Sequence, residues 1–285
     1  MQRSVWDYHT LAREALRGKW DSAVAAAFVA GLLGAYTAGS ASLQFQISAD
    51  DLQTLRELTE SGLWERVQTG FVTVGTVLGV LSLIQFLCGG AASLGYVRYN
   101  LNLIDRREAR VGDVTAEFGR FWQGFLLLLL RRIYIFLWSL LFIIPGIVKA
   151  YSYAMAPYLL YEHDVLGSDG AITASKKMMQ GHRMDLFILD VSFLGWQILC
   201  SLPPTLGALM LYYSTRDFFS TGGVLYLMAV TVLLSAGYLL LIPYQQAAYA
   251  AFYRDLRAEY TASEPPEEPA EDGVAERFLP EDDGE

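Results

Sequence analysis

Five apolar blocks, Ser22–Leu43, Phe71–Val97, Phe121–Leu160, Leu186–Tyr213 and Val224–Pro243, constrain this chain more than any other feature. A bilayer core of about 30 Å is crossed by about 20 helical residues rising 1.5 Å each, and every block reaches that length. Lipid offers a backbone no hydrogen-bond partners, so each block reads as helix. The composition agrees: 53% of the 285 residues are hydrophobic and 18% charged, against about 25% charged in soluble domains.

The third block is twice too long for one crossing. Pro145-Gly146 removes a backbone donor and adds a free hinge, so the block divides into Phe121–Ile144 and Ile147–Tyr161, turning back on each other. Six spans result, near 22–43, 71–97, 121–144, 147–161, 186–213 and 224–243. With both ends cytoplasmic, fifteen Lys and Arg fall on the inner side and four on the outer, a strong positive-inside bias. A five-span alternative starts the crossing at Ile133, after Arg131 and Arg132, and carries it to Leu160 without a turn. The fold expected is therefore an all-α, polytopic membrane bundle.

Around this membrane domain, residues 22–256, the ends differ in chemistry. Residues 1–21 read as a cytoplasmic amphipathic helix: Leu11, Ala15 and Leu16 share a face, Arg13, Glu14 and Arg17 point away, and Gly18 ends it. This segment is expected to be retained, although Ala38–Ser42 offers the small residues of a signal cleavage site. Gln44–Gly70 is an acidic outer loop with a helix expected over Ala49–Val67. Pro203-Pro204 is expected to break the fifth span. The net charge of −9 resides entirely in Thr261–Glu285, so residues 257–285 read as a disordered acidic tail, and no basic excess remains for nucleic acid. Cys88 and Cys200 lie in apolar blocks and read as buried thiols.

Three stretches carry a family resemblance. Leu11–Trp20 (LAREALRGKW) is a basic amphipathic helix ending in Gly-x-Trp. Phe136–Tyr161 (FLWSLLFIIPGIVKAYSYAMAPYLLY) is the most distinctive block, and Ser175–Trp196 (SKKMMQGHRMDLFILDVSFLGW) followed by Ile242–Phe252 (IPYQQAAYAAF) completes the order. Together they resemble the bacterial integral membrane family called domain of unknown function 975. The resemblance implies a multi-pass inner-membrane protein without an established activity. Arg131-Arg132 and the acidic tail depart from the family pattern.

Candidate residues follow from polarity in apolar surroundings. Asp190 lies inside FILDVSFLGW, where a carboxylate suggests a pathway or proton relay; its structural alternative is a pair with Arg131, Arg132 or Lys149, or a helix–helix hydrogen bond. Lys149, among Tyr151, Tyr153, Tyr158 and Tyr161, fits a headgroup cavity or an interfacial aromatic belt. Lys176, Lys177, His182 and Arg183 form a basic segment beside Met178 and Met179. It suits contact with anionic lipid, the methionines dipping into the bilayer, or a docked partner, or a loop that only fixes orientation. Gly75-x-x-x-Gly79 and Gly31-x-x-Gly34 suit close helix packing. No metal, nucleotide or hydrolase motif is present, so no cofactor is expected.

The function expected is a non-enzymatic structural or accessory component of the bacterial plasma membrane. Its partners would be membrane lipids, another membrane protein, or a basic cytoplasmic partner reached by the tail. The alternative is a lipid or small-solute carrier with Asp190 and Lys149 lining the pathway.

Overall fold

The computed structural model describes residues 3–35, 63–214 and 236–263, and every regular element among them is helical. The elements are α1 (Val5–Leu16), α2 (Trp20–Leu32), α3 (Leu63–Ile104), α4 (Asp113–Ala116), α5 (Phe121–Leu141), α6 (Ile143–Ser152), α7 (Ala156–Glu162), α8 (Gly167–Met178), α9 (Arg183–Ser214) and α10 (Ala236–Ser263). Among the described residues two stretches are long and apolar enough to cross a bilayer, Gly79–Ile104 and Asp113–Leu141. The tail beyond Ser263 and most of the predicted loop helix, residues 49–62, lie outside the described residues.

The amphipathic pattern of α1 holds. Asp7 accepts from the Ser4 backbone N–H at 2.8 Å, closing the first turn, and Gly18 takes φ +75° beyond the last. Its inner face, Tyr8, Ala12 and Leu16, is buried against α10, where Tyr8 meets Phe252 edge-on at 5.5 Å. The helix is thus part of the bundle core.

Glycines set the distances between helices. An added Cβ on Gly90 of α3 would lie 2.2 Å from the Gly124 backbone of α5, and one on Gly124 would lie 2.7 Å from Gly90. One residue earlier, a Cβ added at Gly89 would lie 2.5 Å from the carbonyl of Gly34, which takes φ +78° at the end of α2. Gly34 therefore packs as expected; Gly79 has open space around it and makes no such contact.

Several boundaries differ from expectation. The turn between α5 and α6 falls at Phe142, which is extended at φ −158°, three residues before Pro145. Proline collides with the preceding turn and leaves its own turn intact, so Pro145 sits comfortably in the first turn of α6. The two helices fold back, with Gly146 against Ser139, so no single helix runs from Ile133 to Leu160. The fourth apolar segment is not one helix either, because the chain turns again between α6 and α7. Helix α9 runs through Pro203-Pro204 without interruption, and α10 runs through Pro243 to Ser263. A helix embedded among others tolerates the one or two backbone bonds a proline removes. α3 is already helical at Leu63, the first described residue of that stretch, so residues 63–70 are continuous with the span, and α10 stays helical past residue 257 to Ser263.

The two ends of the bundle have opposite surfaces. At one end, Arg254 of α10 binds Glu162 at 2.6 Å and also Asp105; Arg257 pairs with the same Glu162, and Arg98 pairs with Glu117 at 3.0 Å. At the other, α3, the α5–α6 turn and α9 expose large apolar side chains, with Leu140 74%, Ile143 76% and Ile144 75% accessible.

Replacing Gly90 by alanine is expected to push α3 from α5 and cost about 1–3 kcal/mol by overpacking. Gly79→Ala, which meets nothing within 4 Å, should be neutral or stabilise the helix by up to about 1 kcal/mol. Thermal melts of the two purified variants in detergent check the contrast.

Candidate functional site

A cavity of about 580 Å³ lies among α3, α5, α6, α7, α9 and α10. Its position follows from the α5–α6 fold-back, which leaves α6 shorter than its neighbours and opens space beside α9. Arg131, Arg132 and Asp190 all line it, together with the hydroxyl-bearing Tyr151, Tyr158 and Tyr249. Leu128, Ile135 and Ile147 supply apolar wall.

Asp190 is held by neutral donors. Tyr151 of α6 donates to its Oδ2 at 2.8 Å, while Tyr249 and the amide of Gln245, both on α10, donate to Oδ1, the amide at 3.4 Å. Gln245 also reaches Tyr249 at 2.6 Å. One carboxylate therefore ties α6, α9 and α10 together. Of the structural alternatives, the helix–helix hydrogen bond is the one observed; none of the three cations forms an ion pair with Asp190.

The arginines have no carboxylate partner among the described residues. Arg132 lies 5.6 Å from the Phe86 ring centre, and both guanidinium-bearing side chains are half-buried. Lys149 is elsewhere. Its ammonium sits 4.5 Å over the Trp138 ring, outside the cavity, as an interfacial cation–aromatic contact would.

The basic segment is largely folded into the core. Met178 and Met179 are 3% and 0% exposed, so they pack inside the protein and do not reach toward lipid. His182 stands between Asp185 at 3.2 Å and Glu259 at 3.8 Å. Lys176 is exposed and Lys177 and Arg183 are half-buried; the first two close α8, where cations oppose the negative end of the helix dipole.

A second polar node involves His9, which the sequence does not single out. Its ring lies 4.5 Å from that of Phe193, with Nε2 at 2.8 Å from Ser192 Oγ and Nδ1 at 2.8 Å from the Tyr244 hydroxyl. Ser192 spends its proton on the Leu189 carbonyl. Its oxygen must then accept from His9 Nε2–H, leaving Nδ1 to accept from Tyr244. The ring is satisfied when neutral, and burial, helped by Arg13, lowers its pKa below 6.5. Nothing in the local sequence marks this role, because the partners stand 183 and 235 residues away.

A depressed pKa means that the unfolded chain takes up the proton first as pH falls. His9 should therefore support α1 docking fully above about pH 6.5 and lose that support as pH drops through its lowered value. Melting temperature against pH for the native chain and His9→Gln checks this, with the difference between them shrinking toward pH 5.

Comparison with known proteins places these nodes in a family context. No curated protein and no solved structure matches the chain. A family model described as "Protein of unknown function (DUF975)" matches residues 1–153 and 142–260, which takes in α1, the α5–α6 turn, Asp190 and its α10 partners. With almost all of the helical bundle covered by the two matches, the chain belongs to this DUF975 family.

Proposed function

We propose that this chain is an integral protein of the bacterial plasma membrane with six crossings and both ends in the cytoplasm. Its role in that membrane is structural or accessory rather than enzymatic. The observation that supports this reading is the opposition of the two surfaces. Side chains such as Phe136, Leu137, Leu140 and Ile144 are exposed where water would penalise them, and burying each in lipid gains about 1.5–3 kcal/mol. The ion-paired end carries the Lys and Arg excess expected on the cytoplasmic side.

Single cysteines in a Cys88→Ser, Cys200→Ser background test the arrangement. An impermeant thiol reagent should label Ser48→Cys and Thr215→Cys on intact cells, and Glu108→Cys and Asp164→Cys only after permeabilisation. Five crossings would reverse Asp164 and Thr215. The accessory role predicts that crosslinking captures a partner with the full chain and loses it when the chain stops after Ser263, beyond the end of α10.

A second reading, a lipid or small-solute carrier, is favoured by one observation: the cavity that gathers Asp190 with Arg131 and Arg132. Lys149 drops out of that pathway because it lies over Trp138. Under this reading Asp190→Asn, which keeps the shape but weakens three hydrogen bonds, lowers liposome flux at least about tenfold while melting within a few degrees of the native chain. Unchanged flux would remove the carrier reading.

A further inference from the structure

We propose that the Arg131–Arg132 cavity binds an oxyanion of the phosphate class, carried on an apolar body that lies along Leu128, Ile135 and Ile147. The argument starts from an imbalance. Arginine in the interior of an apolar helix loses much of its hydration, and such charges persist where something repays that loss. In this bundle the obvious candidate does not. Asp190 shares the cavity, yet its two oxygens are taken by Tyr151, Tyr249 and Gln245, and no carboxylate pairs with either arginine among the described residues.

Two guanidinium groups and one carboxylate leave the cavity with an excess of positive charge. Arg131 and Arg132 are adjacent in the chain and both line the cavity, so the two like charges reinforce one attractive field. Each guanidinium presents a planar fork that fits the paired oxygens of a phosphate or carboxylate, and phosphate has oxygens for both forks at once. The volume, about 580 Å³, falls in the range of built ligand sites and is wasteful for a bare ion. The apolar wall beside the arginines suits a chain or ring attached to the anion. A phospholipid headgroup and free phosphate share this chemistry, and the wall favours the lipid.

The test uses the full chain purified in an uncharged maltoside detergent, titrated with phosphatidylglycerol, phosphatidylcholine or inorganic phosphate. Native mass spectrometry reads retained ligand, and a thermal melt reads stabilisation. Phosphatidylglycerol should be retained and raise the melting temperature, phosphatidylcholine should be held at least tenfold more weakly, and inorganic phosphate should compete only at much higher concentration. Phosphate competing as well as the lipid would assign the site to a free oxyanion and overturn the apolar body.

The variant R131Q/R132Q should lose phosphatidylglycerol binding by tenfold or more, and R131K/R132K should fall between, because lysine keeps charge without the fork. Without ligand, R131Q/R132Q should melt at or above the native temperature, since a ligand site is maintained against its own charge repulsion. A lower ligand-free melting temperature with unchanged lipid retention would make the arginines structural and overturn the proposal. Arg107→Gln, at the ion-paired end, serves as a surface control and should change nothing. The inference rests on the membrane reading, but detergent binding is independent of topology. Loss of binding with correct cysteine labelling rejects the site alone, and reversed labelling with intact binding rejects the topology alone.

Discussion

Gly90 and Gly124 bring two helix backbones into direct contact, and much else depends on it. With no side chain on either, α3 and α5 touch main chain to main chain, and Gly89 does the same for the end of α2 one position earlier. That contact sets the spacing of α3 and α5, and hence helps set where Arg131 and Arg132 stand relative to the rest of the bundle. Backbones this close gain dispersion contact along both helices. The polar nodes at Asp190 and His9 then act within a frame the glycines have already set.

The all-helical architecture was legible in the sequence because the apolar blocks leave a backbone few alternatives. The α1 face was legible too, from spacing alone. Turn positions were less so. Pro145 acts on the residues before it, and the break therefore appears at Phe142, in a run of apolar letters with no mark of its own. The prolines at 203, 204 and 243 show the converse, since the helix runs on through each of them.

The candidate site divides in the same way. A lone carboxylate in an apolar run identifies Asp190, but its partners lie 39, 55 and 59 residues away, and tyrosine or glutamine there looks like any other. Charge made Arg131, Arg132 and Lys149 the natural guesses, and the fold gives the carboxylate neutral donors in their place. Gly89-Gly90 escaped notice because adjacent glycines match no i, i+4 spacing rule; their value appears only once two other helices arrive. Met178 and Met179 stand beside cations in the sequence and still go inward, since a helix turns neighbouring residues by about 100°.

The docking of α1 on α10 also says something about how the chain is made. Arg3 pairs with Asp255 at 3.0 Å across 252 positions of sequence, and His9 reaches Tyr244 across 235. During synthesis α1 precedes α10, so most of the surface it covers arrives only when α10 follows. The bundle therefore closes by a late, long-range step of the kind that slows folding.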